Sequence, residues 1–311
     1  MSDRLSRRRF LTGAGLTGGA LMALGACSSV GGVAAPAAEA APQLVHLFST
    51  DHVIAAGVSQ RIPFAVVAGP NLELPDEAQI AVVVRRGSEV IERTTVVGRV
   101  VNHDHVGDVD PNHQHADLLR YYALRTTLPE AGVYDLEADF GDAGTGRLPI
   151  QAFERSSVPL LLPGDPFPSL VTPTFDDDAG VDPICTLAPD PCPFHTESID
   201  AVLADGRPMA VLVATPALCQ TAYCGPVVET MIEVAPRYPS VVPTHLEFWA
   251  NAGEVAGNYA DPKLRLAPAV EALGLTFEPS LFLVDRQGIV VDRIDNIYDA
   301  TELDASLAAI A

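Results

Sequence analysis

The sequence predicts two folded parts in series: an all-β sandwich over residues 43–154 and an α/β domain over residues 185–311. In the first part, short runs of β-branched residues are separated by turn residues. In the second part, helix-like and strand-like segments alternate. The stretch between them, residues 155–184, is rich in proline, which is typical of an extended connector. With 311 residues, of which 48% are hydrophobic, the chain can form two packed cores.

Residues 1–27 have the pattern of an export leader more than that of a buried helix. Three consecutive arginines at 7–9 precede a Gly-rich apolar stretch, which ends in Leu-Gly-Ala before Cys27. The arginines resemble a twin-arginine signal, and the residues before Cys27 resemble the lipobox of bacterial lipoproteins. This resemblance implies a lipid on Cys27 and a mature protein anchored at the extracytoplasmic face of the cell membrane. Residues 28–42 would then form a flexible tether.

The acidic composition argues against a nucleic-acid partner. The formal net charge is −21 at pH 7, and removal of the leader leaves 15 basic and 39 acidic residues, a balance of −24. Phosphate backbones require a basic surface. A negative surface also repels anionic headgroups, so the lipid anchor, and not charge, would hold the protein at the membrane.

The predicted sandwich rests on strand patterns. Three β-rich runs are predicted strands: 64–67, 80–84 and 96–101. Residues 133–140 alternate cleanly, with apolar side chains facing a core and acidic side chains facing water. The preceding Leu-Pro-Glu-Ala-Gly-Val-Tyr at 128–134 is similar to turns before late strands of immunoglobulin-like domains in exported bacterial proteins. This resemblance implies an immunoglobulin-like sandwich.

The predicted α/β domain has a definite order of elements. After a short helix at 197–204, the predicted elements are a strand at 208–215, a helix at 224–238, a strand at 242–249, a helix at 264–273, strands at 280–285 and 289–294, and a helix at 301–310. The order is β-α-β-α-β-β-α.

Two motifs in this order resemble the thioredoxin superfamily over residues 185–311. The first is Tyr-Cys-Gly-Pro at 223–226, and the second is Glu-Pro-Ser-Leu-Phe-Leu-Val-Asp at 278–285. The resemblance implies thiol–disulfide exchange at Cys224 on protein thiol or disulfide substrates, with no cofactor required. It also implies that Pro279 is a cis-proline beside the active cysteine and shapes the substrate groove.

The cysteine at the start of the predicted helix has a physical reason to be reactive. Unpaired N–H groups and the positive end of the helix dipole lower the pKa of a thiol there. Val227 stands where the family has its second cysteine. We therefore expect Cys219 to be the disulfide partner, with Cys224 as the attacking or acceptor thiol and Cys219 as the resolving thiol. The alternatives are an inert buried cysteine and, less favoured, a peroxidase.

The remaining cysteines are Cys185 and Cys192, in a segment that contains three prolines. Their local spacing and the oxidising compartment favour a structural disulfide. The alternative is a second redox centre that passes electrons to Cys224.

A metal role is the main alternative function. Sco-type copper chaperones have three residues between two cysteines of this loop and a distant histidine. Here the gap is four residues, and His245 is the candidate for the distant histidine. Four histidines of the first part could bind Cu²⁺ or Zn²⁺: His103, His105, His113 and His115. Alternatively, they belong to a polar surface loop, or the aspartates of that loop hold Ca²⁺. The third hypothesis is a non-catalytic thioredoxin-fold binding module.

Overall fold

Within the described residues, seven antiparallel strands form the first part of the structure. The computed structural model describes residues 42–47, 53–67, 74, 77–102, 118–219, 221, 223–255 and 257–311. The strands are β1 (Gln43–His46), β2 (Ser59–Val67), β3 (Gln79–Arg86), β4 (Glu89–Asn102), β5 (Leu118–Thr127), β6 (Gly132–Asp139) and β7 (Thr145–Ala152). The alternation predicted for β6 is confirmed, since Tyr134, Leu136 and Ala138 are buried.

Strand β4 makes this sheet continuous. Its residues 89–97 pair with β3 and its residues 98–102 pair with β5. The spatial order is β1-β2-β5-β4-β3-β6-β7. The edge strands β1 and β7 approach each other so closely that a Cβ on Gly146 would lie 2.9 Å from the carbonyl oxygen of Pro42. In place of two separate facing sheets, the described residues therefore form one nearly closed sheet, because β4 is long enough to belong to both halves.

Among the described residues, the second part contains a four-stranded sheet and four α-helices. The strands are β8 (Met209–Val213), β9 (Val242–Leu246), β10 (Ser280–Val284) and β11 (Val290–Asp295). The helices are α1 (Ile199–Ala204), α2 (Cys224–Val234), α3 (Pro268–Leu273) and α4 (Ala300–Ala308). The order in the sheet is β11-β10-β8-β9, with β8 and β9 parallel and the other pairs antiparallel. After α1, the predicted order of elements along the chain is present. Every residue of β8 and β10 is buried, which fits the apolar sequence of β8 and of β10 after Ser280.

The proline-rich segment 155–184 packs on the core and does not form a free connector. The buried ring of Phe167 meets Phe282 of β10 edge-on, with ring centroids 5.6 Å apart. Pro166 forms a β-bridge with Ile289. Ala40–Ala311 form one compact unit. The two parts predicted as separate domains therefore share a hydrophobic core.

A buried ion pair joins the two sheets. Arg61 of β2, whose side chain is fully buried, donates to Glu302 of α4 at 2.6 Å. It also donates to the carbonyl oxygen of Asp295 at 3.1 Å. The hydroxyl of Tyr121 in β5 donates to the same Glu302 carboxylate at 2.8 Å. The charge of Arg61 is thus matched at the contact between the two parts, as a buried charge requires.

Candidate functional site

A disulfide between Cys219 and Cys224 lies where β8 leads into α2. A 3-10 turn, Pro216–Leu218, follows β8 and brings Cys219 against Cys224, the first residue of α2. The two Cα atoms are 5.8 Å apart, which is within the range that a disulfide needs. The structure thus contains the pairing that the sequence predicts.

The two cysteines of this disulfide differ in solvent exposure. Cys224 has a solvent exposure of 0% and packs in the core with Val227 and Val228 of the same helix. Cys219 is only partly buried. An attacking thiolate can therefore reach Cys219 more readily than Cys224. The sequence-based assignment, with Cys224 as the attacking or acceptor thiol, differs from this expectation and stays a prediction.

Two hydrogen-bond donors face the sulfur of Cys219. The backbone N–H of Cys224 lies 3.2 Å from it, and the hydroxyl oxygen of Thr221 lies 3.5 Å from it. The N–H belongs to the first turn of α2, where amide groups have no acceptor within the helix. Both donors, and the positive end of the helix dipole, stabilise negative charge on Cys219 when the disulfide opens.

The loop before β10 lies at the same end of the sheet as the disulfide. The Glu278–Pro279 peptide is cis, as predicted, and the following Ser280 pairs with Val213 at the end of β8. Pro279 is itself buried, and its carbonyl oxygen accepts a hydrogen bond from the N–H of Asn296 at 2.9 Å. The expected role of Pro279 in shaping the substrate groove stays a prediction.

Buried carboxyl groups occur at this end of the sheet. Glu278 is buried, and desolvation followed by repulsion from Glu247 raises its pKa well above the usual value. Strand β8 itself contains no acidic residue. Glu247 follows β9, and Glu278 precedes β10.

A second group of polar side chains, Cys185, Cys192, His195 and His245, is called here the Cys/His cluster. The first three residues lie in the irregular segment before α1, and His245 lies in β9. Their exposures are 6%, 1%, 0% and 0% in that order. Both cysteines are free. The expected Cys185–Cys192 disulfide is therefore absent, because each sulfur lies against an imidazole nitrogen instead.

The potential ligand atoms of the Cys/His cluster face one another. Cys192 Sγ lies 3.3 Å from both His195 Nε2 and His245 Nδ1. Cys185 Sγ lies 3.6 Å from His245 Nδ1, and the two ring nitrogens are 3.4 Å apart. All four atoms lie within 4.8 Å of one another. Thiolates and imidazoles are the ligands that Zn²⁺ and Cu⁺ prefer in proteins.

Backbone groups orient the Cys/His cluster. The N–H of Cys192 donates to Cys185 Sγ at 3.3 Å, and the backbone of Phe194 donates a hydrogen bond to Cys192. The Nε2 atom of His245 lies 2.8 Å from the carbonyl oxygen of Ala214. Since a carbonyl only accepts, this nitrogen carries the proton, and in the neutral ring Nδ1 directs its lone pair into the cluster.

Thr186 and Glu247 border the Cys/His cluster. The N–H and hydroxyl of Thr186 donate to the Glu247 carboxylate at 2.5 and 3.2 Å, and burial raises the pKa of Glu247 to about 8. The Thr186 hydroxyl also accepts from the N–H of Ala217 at 3.1 Å. Because Ala217 lies in the turn before Cys219, Thr186 connects the cluster to the disulfide loop.

Sequence reasoning did not bring these four residues together, since it considered His245 only with Cys219 and Cys224 and did not consider His195. The segment 185–195 does contain a signal, since Cys185, Cys192 and His195 fall within eleven residues. The contribution of His245 depends on the sheet, because His245 follows His195 by 50 residues.

Several predicted residues lie outside the described residues. They are Cys27 and the loop histidines His103, His105, His113 and His115. Their proposed roles in lipidation and metal binding stay predictions.

Comparisons with known proteins assign no family to this chain. No family model matches it, and no curated protein matches it. A solved structure of a putative lipoprotein from Bacillus anthracis is similar over 36% of this chain and 73% of that one, with 13% identity and a TM-score of 0.20. Similarity at this level carries no argument about fold or function. No helix among the described residues has the length and apolar character needed to cross a membrane.

Proposed function

We propose that this chain is a thioredoxin-like thiol–disulfide oxidoreductase that acts on protein thiols and disulfides. One observation carries the proposal: the Cys219–Cys224 disulfide joins a partly exposed cysteine in the loop before α2 to a buried cysteine at the first residue of α2. An accessible sulfur allows a substrate to form a mixed disulfide, and a buried partner ensures that only one end of the bond is attacked.

The exchange proceeds in two steps. A substrate thiolate attacks Cys219 Sγ, the Cys219–Cys224 bond breaks, and its electron pair leaves on Cys224, which takes up a proton. A second substrate thiolate then attacks the substrate sulfur of the mixed disulfide and releases Cys219 as a thiolate. The substrate loses two electrons and gains a disulfide, while the protein gains both electrons as two thiols. The reverse sequence reduces a substrate disulfide.

The groups around Cys219 favour the release of its thiolate in the second step. Donation from the Cys224 N–H and the Thr221 hydroxyl stabilises the Cys219 thiolate, which makes it a better leaving group when the mixed disulfide is resolved. In the reverse direction, Cys224 is the resolving thiol, which attacks Cys219 and releases the substrate thiolate.

We further propose that the protein works at the extracytoplasmic face of the cell membrane, held by a lipid on Cys27. The consecutive arginines at 7–9 and the small residues before Cys27 support this location. A disulfide such as Cys219–Cys224 persists in that oxidising compartment.

Trapping of a mixed disulfide tests the proposed roles. The mature chain is reduced, mixed with oxidised glutathione and mapped by mass spectrometry. In Cys224→Ser, Cys219 should carry a persistent glutathione adduct, because no thiol remains to displace it. In Cys219→Ser, the buried Cys224 should form the glutathione adduct at least about tenfold more slowly than Cys219 does in Cys224→Ser. The wild-type chain should resolve the adduct into its own disulfide.

Two results would contradict the proposal. Equal labelling of Cys219 and Cys224 in the two variants would remove the assigned roles. A reduction potential of the pair below about −300 mV would show a structural disulfide that substrates do not open.

A further inference from the structure

We propose that Cys185, Cys192, His195 and His245 bind one Zn²⁺ ion in a closed structural site. The site is independent of the proposed exchange reaction, since neither Cys219 nor Cys224 belongs to it.

The spacing of the ligand atoms matches a tetrahedral zinc site. Bond lengths of about 2.3 Å to sulfur and about 2.0–2.1 Å to nitrogen place two nitrogens about 3.3 Å apart and a nitrogen and a sulfur about 3.6 Å apart around one ion. In the Cys/His cluster, the two ring nitrogens are 3.4 Å apart. Three nitrogen–sulfur distances are 3.3, 3.3 and 3.6 Å. One ion at the centre of the cluster can therefore contact all four atoms with little movement of the side chains.

The hydrogen bonds around the Cys/His cluster fit its role as a ligand set. The Nε2–H of His245 is held by the carbonyl of Ala214, which is the usual outer contact of a metal-bound histidine. Backbone N–H groups of Cys192 and Phe194 point at the two sulfurs and stabilise thiolate charge. Two thiolates, from Cys185 and Cys192, balance the double positive charge of Zn²⁺.

An ion also explains why these groups converge in the core. Without it, two thiols and two imidazoles face one another, and the thiols are weak hydrogen-bond donors. Buried polar groups that lack good partners cost free energy. A single Zn²⁺ satisfies all four ligand atoms at once.

Burial assigns the site a structural role. None of the four ligands is more than 6% exposed, so a bound ion has no open position for water or substrate, unlike a catalytic zinc site. The ion would fasten segment 185–195 to β9. Through Thr186 and Ala217 it would also steady the turn that carries Cys219. It replaces the disulfide that the sequence predicts for this segment.

Metal analysis of the mature chain tests this assignment. The protein, purified without added metal, should contain one zinc per chain by mass spectrometry. Cys192→Ser and His245→Gln should lose it. Two control variants should keep it in full: the chain with the four loop histidines changed to alanine, and the chain with Cys219 and Cys224 changed to serine.

A second measurement uses the wild-type protein and therefore tests the site even if the variants fail to fold. Wild-type protein loaded with Co²⁺ should show the intense visible bands of a tetrahedral ion and the near-ultraviolet charge-transfer bands of bound thiolates. The absence of these bands would overturn the proposal. So would an absence of stoichiometric zinc, copper in its place, or a Cys185–Cys192 disulfide in peptide maps of unreduced protein. A negative result in the glutathione experiment, with zinc present, would remove the proposed function and leave this site intact.

Discussion

Glu278 links the stability of the protein to pH. Its usual pKa is 4.5, and burial raises that value in the folded protein. Below pH 4 the folded and unfolded chains both hold the proton. As pH rises past 4.5, the unfolded chain releases it first, so the free energy of unfolding falls by up to about 1.4 kcal/mol per pH unit until the folded pKa is reached.

Glu278→Gln should make this pH dependence shallower, because the amide keeps the shape of the side chain and has no charge to bury. Urea unfolding between pH 5 and 8 gives the measurement, and the variant should gain stability relative to wild type toward pH 8. Glu271→Gln, at an exposed position of α3, is the matched control and should follow the wild type. Parallel curves for wild type and Glu278→Gln would show that the carboxyl is not buried.

At single residues, sequence reasoning succeeded where the signal was local. The burial of Tyr134 and Leu136 follows from alternation, and the cis peptide before Pro279 follows from a short motif. Sequence reasoning failed where the position of a residue depends on tertiary packing. Neither the burial of Cys224 nor the approach of His245 to His195 can be derived from sequence spacing, because both depend on which face of α2 or β9 packs inward.

At the scale of elements, the helices and strands after residue 195 were predictable because each has a continuous local pattern. The apolar runs of β8 and β10 indicate central strands, and Gly-Pro after Cys224 indicates a helix start. The closure of the first sheet was not predictable, since it depends on the pairing of β4 with two different strands. The pairing partners of a strand depend on the whole sheet, so the sequence of one strand does not identify its neighbours.

Gly146 tests the approach of the sheet edges. An alanine Cβ at this position would lie 2.9 Å from Pro42 O and 3.1 Å from the Leu44 side chain. Because one of these atoms belongs to the backbone, Gly146→Ala should destabilise the protein by about 1–3 kcal/mol, measured by urea unfolding.

The matched control for this change is Gly225→Ala in α2, where a Cβ meets nothing within 4 Å. It should be neutral or should stabilise by up to about 1 kcal/mol, since alanine favours helix. If Gly146→Ala were equally harmless, β1 and β7 would not lie side by side.

On the scale of the whole molecule, the buried ion pair of Arg61 and Glu302 connects β2 of the first sheet to α4 of the second part, and we expect it to make the two parts unfold together. Burial alone would raise the pKa of Glu302, yet the Arg61 guanidinium holds it below the usual value. The pair therefore stabilises the folded chain above pH 4.5, and this stabilisation is lost as pH falls through the lowered pKa. Because the pair is buried, salt should weaken it little.

Arg61→Ala should destabilise the protein by about 3–5 kcal/mol, because it leaves the Glu302 carboxylate buried without its partner. Fluorescence of Trp249, the single tryptophan, reports on the second part, and hydrogen exchange of β5 reports on the first. Both should show the same loss of stability. Arg237→Ala, which removes exposed ion pairs with Glu233 and Asp304, should cost less than about 1 kcal/mol. A loss confined to the Trp249 signal, with β5 exchange unchanged, would show that the two parts unfold independently and that Arg61 does not couple them.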